Sequence, residues 1–351
     1  MGLTVAGKIA IVGSGANGTS IGVDLVGAGL DVTLIDQWPA HVEAMRENGA
    51  TVVMPEKTIV RHVRALHICD VCTLTEPFDV VLVVTKAYDA RWSSQLIEPY
   101  LKRDGLLVAV QNGMTAETVA EVVGPERTLG CVIEISSGLF APGIVERHSP
   151  PARSWFAVGS FHPATRGREA EVAELLSHAG ACETSGDILA AKWMKLVSNC
   201  TTLATTACLD LSIVDAETVP GMRAFMLRAG QEALDIGDAL GFERRPIFGL
   251  SEKDVTDSNR LVETLLDKLM SGFVLPNTKG VVLQDWEKGR KSELENLNGL
   301  VAARARELGT AAPACEAVAE IARRIERGEL RPGVENLATL QDLAENYARS
   351  R

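Results

Sequence analysis

Lys195 and Asn199 stand four residues apart in Lys192-Trp-Met-Lys195-Leu-Val-Ser-Asn199, a spacing that puts both side chains on one face of a helix. An ammonium and a carboxamide so placed can share one substrate. The lysine hydrogen-bonds a carbonyl oxygen and delivers a proton to it, while the asparagine holds the same molecule without titrating. Histidine is the more usual donor, but all six here, His41, His62, His67, His148, His162 and His178, precede this helix. Taken by itself, the spacing also suits an exposed lysine beside a packing asparagine. A second cluster runs from Leu283-Gln-Asp285 through Ser292-Glu293-Leu-Glu295 to Asn298-Gly299. It reads as a helix start, with Ser292 as cap, Glu295 as capping-box partner and Glu293 in the first turn, where the helix dipole favours its charge. Only a place in a substrate cleft would make Glu293 a substrate contact.

Binding chemistry is concentrated near the start of the chain. Lys8-Ile-Ala-Ile-Val runs into Gly13-Ser14-Gly15-Ala16-Asn17-Gly18, and Asp31-Val-Thr-Leu-Ile-Asp36 follows a helix-like stretch. In a glycine turn of this kind Gly13 permits the tight bend, Gly15 lets backbone approach a pyrophosphate, and Gly18 allows close helix–strand packing. The helix N-terminus then faces the phosphates. Strand, turn, helix and a carboxylate eighteen residues on make the context that a dinucleotide fingerprint requires. Asp36 can accept from both ribose hydroxyls of NAD and would repel the 2′-phosphate of NADP; neither Gln37 nor Trp38 supplies a compensating cation. The spacing therefore favours NAD(H) over NADP(H). The alternative is that Asp36 caps the turn before Pro39.

Elements must bring these residues together. Pro39 to Asn48 has helical spacing, and β-rich pieces follow at Thr51 to Val53 and Thr58 to Leu66. Phe78 to Thr85 and Gly105 to Val110 are continuous apolar runs of the kind a buried parallel strand needs. Lys86 and Asn112 stand just past their carboxyl ends, the edge at which a doubly wound sheet binds ligands. Further strands are expected at Thr128 to Ile135, Ile144 to Arg147, Trp155 to Gly159 and near Cys182, with a helix over Thr165 to Ala179. From Asp187 the apolar period becomes helical, over Ile188 to Cys208, Gly221 to Leu240, Asp257 to Met270, Lys291 to Leu308 and Ala312 to Glu326. The expected organisation is α/β: a dinucleotide-binding domain over 1–186 and an all-α domain over 187–351, sharing a cleft because no long linker divides them.

A length of 351 residues suits two domains. A formal net charge of −11 argues against nucleic acid or an anionic membrane surface as partner. No apolar run approaches the 18 or more residues of a membrane span, and the N-terminal stretch lacks the pattern of a signal peptide. Seven scattered cysteines read as reduced thiols of a cytoplasmic protein. Cys69-Asp-Val-Cys72 has no second pair to complete a zinc set, so no metal is expected.

In order and spacing, the glycine turn, Thr85-Lys86, Gln111-Asn112-Gly113-Met114, Lys192 to Cys200, and Leu283-Gln-Asp285 through Glu293 to Asn298-Gly299 resemble the ketopantoate reductase (2-dehydropantoate 2-reductase) family. The resemblance covers nearly the whole chain. It implies a Rossmann-type domain followed by a helical domain of the 6-phosphogluconate dehydrogenase C-terminal type, a homodimer, and reduction of a 2-oxo acid to its 2-hydroxy acid by a nicotinamide cofactor. It makes Lys195 the general acid and Asn199 and Glu293 substrate or hinge-side contacts. Lys86 and Asn112 would line the nicotinamide end and help to hold substrate.

Five positions depart from the family pattern. Asp36 replaces a basic or small polar residue typical of NADPH users. Leu203 stands where a polar residue, typically Asn, is usual, and Val281-Val282 where Ser-Met is common. Glu134 adds a carboxylate where a small residue is expected. Two apolar positions in place of polar contacts suit a less hydroxylated or bulkier 2-oxo acid than ketopantoate, because buried polar groups left unpaired cost about 1–3 kcal/mol each. Two other dehydrogenase types share the architecture. A 3-hydroxyisobutyrate-type enzyme has glycines before its lysine, where this chain has Ile188-Leu-Ala-Ala. A 3-hydroxyacyl-CoA type uses a His–Glu pair, for which Glu146 and His148 have the wrong spacing. A non-catalytic NAD sensor would have no need of Lys195.

Overall fold

The apolar run Ile9-Ala-Ile-Val12 is buried on both faces, which places it at the middle of a sheet rather than on its surface. The computed structural model describes residues 7–256, 260–276 and 278–349. The chain forms two compact units that meet after Leu189. In order, the first contains β1 (Lys8–Val12), α1 (Ala16–Gly27), β2 (Asp31–Asp36), α2 (Pro39–Asn48), β3 (Ala50–Val53), β4 (Thr58–Arg61), β5 (Arg64–His67), β6 (Phe78–Val83), α3 (Ala90–Ile97), β7 (Leu101–Ala109), α4 (Ala116–Val123), β8 (Thr128–Glu134), β9 (Ser137–Ala141), β10 (Ile144–Arg147), β11 (Trp155–Gly159), α5 (Glu169–Leu176) and β12 (Ala181–Thr184).

Among the described residues the main sheet has eight strands in the order β12-β11-β8-β7-β6-β1-β2-β5. The run from β5 to β8 is parallel throughout, and β11 pairs antiparallel with β8. After β1 the chain builds outward through β2 and β5, then returns to place β6 on the other side of β1. This is the doubly wound Rossmann arrangement, and its switch point lies between β1 and β6. Two apolar layers fill its faces, one around Ile9, Ile11, Leu34, Leu82 and Val108, the other around Ala10, Val12, Val81, Val83 and Leu107. Consecutive strand residues thus serve opposite layers.

A second sheet, in the order β4-β3-β10-β9, is absent from the sequence reading. The stretch Thr58 to Leu66, read as one β-rich piece, divides into β4 in this small sheet and β5 in the main one. β9 was not foreseen. Alternation that is correct within each strand does not reveal which sheet a strand joins.

The second unit is helical: α6 (Ile188–Ala207), α7 (Ile213–Thr218), α8 (Met222–Ala239), α9 (Glu252–Thr256), α10 (Leu261–Gly272), α11 (Val281–Glu287), α12 (Asn298–Glu307), α13 (Pro313–Glu326) and α14 (Asn336–Arg349). α6 runs through its core. Gly230 and Gly237 of α8 leave room for Thr201 and Trp193 of α6, and the Trp193 indole N–H donates to the Ala233 carbonyl at 2.9 Å. The buried hydroxyls of Thr201, Thr202, Thr205 and Thr206 donate to carbonyls one turn back, so they are satisfied within the helix. The expected helix over Asp257 to Met270 begins at Leu261; 257–259 lie outside the described residues. The helix expected from Lys291 begins at Asn298, after a 3-10 turn over Leu294–Asn296.

Candidate active site

In the first unit the candidate residues gather at the β1–β6 switch point. Gly13 has φ +92°, a conformation open to glycine, and a Cβ there would stand 2.5 Å from the Thr85 nitrogen. A Cβ on Gly18 would fall against the Gly13 carbonyl oxygen, whereas one on Gly15 would meet nothing within 4 Å. The first and third glycines are therefore needed for packing, and the second faces open space. The N–H groups of Gly13 and Ser14 both turn inward to the Ile35 carbonyl, at 2.9 and 3.2 Å. The Ser14 hydroxyl donates to the same oxygen at 3.2 Å. Ala16, Asn17 and Gly18 open α1, where no side chain caps the N-terminus; their N–H groups are the ones a pyrophosphate can take. Ser137 of β9 donates to the Asn17 side-chain oxygen at 2.6 Å, which joins this first turn to the small sheet.

Asp36 closes β2 and is nearly buried. Its Oδ1 accepts from the Trp38 N–H at 2.9 Å, so the capping of the following turn is realised at that oxygen, and the same bond holds the carboxylate at the strand end. His67, paired in register with Asp36 from β5, donates through Nε2 to the Gln37 carbonyl at 3.0 Å. Since a carbonyl only accepts, Nε2 carries the proton.

Lys86 begins the 3-10 turn after β6, and Asn112 follows β7; both are half-buried. Gln111 ties these strand ends together: its Nε2 donates to the Val83 carbonyl at 2.8 Å and its Oε1 accepts from the Thr115 hydroxyl at 2.9 Å. The carboxyl ends of β1, β6 and β7 are neighbours, so Gly13, Lys86 and Asn112 share one edge. Glu134 ends β8 and is nearly buried, on the next strand along.

In the helical unit, candidate residues lie on α6. Lys195, Asn199 and Leu203 occupy successive turns of one face, with Lys195 8 % exposed and Asn199 2 %. The Lys195 ammonium lies 5.0 Å from the centre of the Phe248 ring, within the range of a cation–π attraction. Phe248 packs edge-on against Phe273 at 5.3 Å and carries φ +25°, just before Gly249 at φ +95°. A bulky residue there stores strain of about 1–3 kcal/mol, which persists only where packing imposes it. Sequence reading missed Phe248, because neither its backbone angle nor its closeness to Lys195 leaves a mark in local pattern.

Leu203 lies against the start of α11: a Cβ on Gly280, the N-cap, would be 3.3 Å from Leu203 Cδ2. Val281, the first residue of α11, is half-buried beside it. Glu293 is 4 % exposed in the turn preceding the Leu294–Asn296 segment. That segment is seated beside α6 by Asn298, whose Nδ2 donates to the Cys200 carbonyl at 3.1 Å. The expected capping box is not formed. Ser292 instead donates to Glu326, with Oγ at 2.5 Å and N at 3.1 Å. Glu295 pairs with Arg323 through two bonds of 2.7 and 2.8 Å; a doubly bonded arginine outcompetes a single backbone N–H for that carboxylate.

Comparison with known proteins identifies the family. The family described as "Ketopantoate reductase PanE/ApbA" matches residues 9–160, and its C-terminal counterpart matches 187–326. A 2-dehydropantoate 2-reductase of Halobacterium salinarum is 27% identical over 91% of this chain and 99% of its own length. One from Streptococcus pyogenes serotype M3 is 25% identical over 89% and 95%. Among solved structures, a PanE/ApbA family ketopantoate reductase from Ralstonia eutropha JMP134 superposes with TM-score 0.75 at 26% identity, over 92% of this chain and 99% of that one. A D-mandelate dehydrogenase shares the fold with TM-score 0.80 at 21% identity, over the same shares. With both halves of the chain matched, and the glycine turn and the Lys195 face formed as described, the protein belongs to the ketopantoate reductase family of NAD(P)-dependent oxidoreductases.

Proposed function

We propose that the protein interconverts a 2-oxo acid and its 2-hydroxy acid, with NAD(H) preferred over NADP(H) and Lys195 as the proton donor. The observation that carries this reading is the α6 face, where a buried ammonium beside the aromatic ring of Phe248 stands one turn from a buried carboxamide. The open approach at Gly15 and the uncapped N-terminus of α1 fit a dinucleotide pyrophosphate, and Asp36 fits a ribose without a 2′-phosphate. When bound, the reduced cofactor supplies a hydride to the carbonyl carbon.

The chain's own residues do the rest. Lys195 hydrogen-bonds the carbonyl oxygen and gives up one proton as that oxygen becomes a hydroxyl; the neutral amine then takes a proton from solvent. In the oxidative direction the amine removes the hydroxyl proton. Asn199 orients the same substrate, and Glu293 contributes an acceptor for its polar end. Lys86 and Asn112 hold the carboxylate and the amide end of the nicotinamide through charge and hydrogen bonding. Phe248 lies beside Lys195, and Leu203 and Val281 are apolar where the family pattern is polar, which favours a branched or aromatic 2-oxo acid over the hydroxylated ketopantoate. A protein of the same fold, the D-mandelate dehydrogenase, has been solved with NADH and anilino(oxo)acetate together.

The test is an initial-rate screen with NADH and with NADPH against ketopantoate and a panel of apolar and aromatic 2-oxo acids. The reading expects NADH to be used at least about tenfold more efficiently, since a carboxylate bonded to ribose contributes on the order of 1.5–3 kcal/mol, and expects an apolar substrate to win. Efficient reduction of ketopantoate with NADPH would overturn both the cofactor and the substrate assignment.

A further inference from the structure

We propose that His41 is a positioning residue for the cofactor: from behind the glycine turn, it sets the direction in which the Gly15 N–H is presented to the pyrophosphate. The inference rests on the dinucleotide reading above and adds a residue to it.

The Ser14 carbonyl oxygen accepts two hydrogen bonds inside the protein, one from His41 Nε2–H at 2.8 Å and one from the Thr19 hydroxyl at 2.6 Å. The two donors are themselves 3.2 Å apart. Across a trans peptide the C=O and the following N–H point in opposite directions. Holding the Ser14 oxygen inward therefore turns the Gly15 N–H outward, and a Cβ on the same residue would meet no atom within 4 Å. The donors that make the turn reach outward are thus buried behind it.

The identity of the proton follows from the other ring nitrogen. His41 Nδ1 accepts from the Gly143 backbone N–H at 2.8 Å. A backbone amide can only donate, so the proton of the neutral ring is on Nε2, where Ser14 needs it. Burial pulls His41 below the ordinary histidine range, against the opposing pull of Asp36 and of the Ser14 carbonyl, and so favours this neutral form.

The ring also joins parts of the cradle that are distant in sequence. Trp38 stacks on it at 5.8 Å and 22°, and the Trp38 N–H is bonded to Asp36. Gly143, with φ +76°, sits in the turn between β9 and β10, the same hairpin that reaches Asn17 through Ser137. One imidazole thereby links the ribose-side turn, the phosphate turn and the small sheet. A histidine kept only for packing would have no reason to bond the peptide whose N–H leads into those of Ala16, Asn17 and Gly18 at the start of α1.

The test compares H41Q, H41F and T19V with the wild type by NADH and ADP-ribose titration, with melting temperatures measured without ligand. Glutamine keeps a donor that can reach the Ser14 carbonyl; phenylalanine keeps the ring volume and loses the donor. Both lose the bond from Gly143. H41F is expected to raise both dissociation constants roughly five- to tenfold, the worth of about one hydrogen bond, and H41Q by less than about threefold. T19V, which removes the other donor and leaves the His41–Gly143 bond intact, is expected to weaken binding in the same direction. With any 2-oxo acid that turns over, the H41F defect is expected in KM for NADH rather than in kcat. Equal affinity losses in H41Q and H41F, following their losses of melting temperature, would reduce His41 to a structural role and overturn the proposal. So would wild-type affinity in both H41F and T19V. If the wild type binds neither NADH nor NADPH, the dinucleotide reading itself has failed, an outcome distinct from binding that His41 does not affect.

Discussion

At the scale of single residues, the proposed chemistry rests on Lys195, which is almost completely buried. A lysine ammonium left in a low-dielectric setting needs compensation, and the Phe248 ring at 5.0 Å is one contribution to it. Replacing Lys195 by Ala removes the proton donor and leaves the dinucleotide cradle untouched. Turnover is expected to fall by at least about a hundredfold, within the usual span of general acid catalysis, while the NADH dissociation constant stays within about twofold. Full turnover in K195A would remove Lys195 from the mechanism. His41 carries a pH dependence whose sign follows from its burial. Its folded value lies below the ordinary 6.5, so as the pH falls the unfolded chain takes up this proton first. The stability tied to neutral His41 is therefore complete above about pH 6.5 and is lost as the pH drops through that value toward the folded one. His148, also held down by burial, acts in the same sense, and its contribution cancels when wild type and H41Q are compared. Between about pH 7.5 and pH 5.5 the wild type is expected to lose more melting temperature than H41Q does; parallel slopes would show that His41 does not titrate differently in the two states.

At the scale of elements, the cradle depends on how α1 and the small sheet are joined. Arg147, at the end of β10, is fully buried and uses its whole guanidinium. Nε donates to the Ser149 carbonyl at 2.7 Å, and Nη2 to the Ser154 hydroxyl at 2.9 Å and the Ala179 carbonyl at 2.7 Å, while Nη1 pairs with Asp24 of α1. Burial raises the Asp24 carboxyl and Arg147 opposes that shift. Removing the arginine takes the donor from the Asp24 carboxylate and from the Ala179 carbonyl, while the Ser149 carbonyl keeps the Ser154 hydroxyl. R147M is expected to cost about 3–5 kcal/mol in urea unfolding, and D24N added to R147M to recover part of that loss. A loss below about 1 kcal/mol would mean that water replaces the guanidinium. In the helical unit, Glu232 plays a comparable joining role: its two oxygens accept the Ala314 and Cys315 N–H groups at 2.9 Å each, at the start of α13, where a carboxylate also complements the helix dipole.

At the scale of the whole molecule, each unit has its own core, and the fingerprint lies wholly in the first. A ligand that binds only the folded state stabilises it in proportion to its saturation. NADH at about one hundred times its dissociation constant is expected to add roughly 2.7 kcal/mol to the unfolding of the unit that holds it. NADPH at the same concentration should add less, because Asp36 repels the 2′-phosphate. Denaturation followed with each cofactor checks this, and equal shifts would count against the role given to Asp36.

The sequence by itself determined the elements of chemistry whose signal is local. Gly13 and Gly18 announce a turn because the φ of the first and the close contacts of both exclude a side chain, while Gly15 leaves its outer side open. The central strands announce themselves by unbroken apolar runs, and the helical half by its period. Lys195 and Asn199 share a face because α-helix geometry places i and i+4 together. The capping box around Ser292 failed for the opposite reason: Glu326 and Arg323, more than twenty-five residues away, hold Ser292 and Glu295 more strongly than the nearest backbone does. The strand breaks at His62 and Val63, the membership of β3, β4, β9 and β10 in a second sheet, and the placement of Phe248 over Lys195 are likewise decided by packing between distant segments. So is the role of His41, which local pattern presents only as one histidine on an amphipathic helix. Its function resides in a carbonyl twenty-seven residues before it and an amide one hundred and two residues after it, and only the tertiary structure brings those three groups within hydrogen-bonding distance.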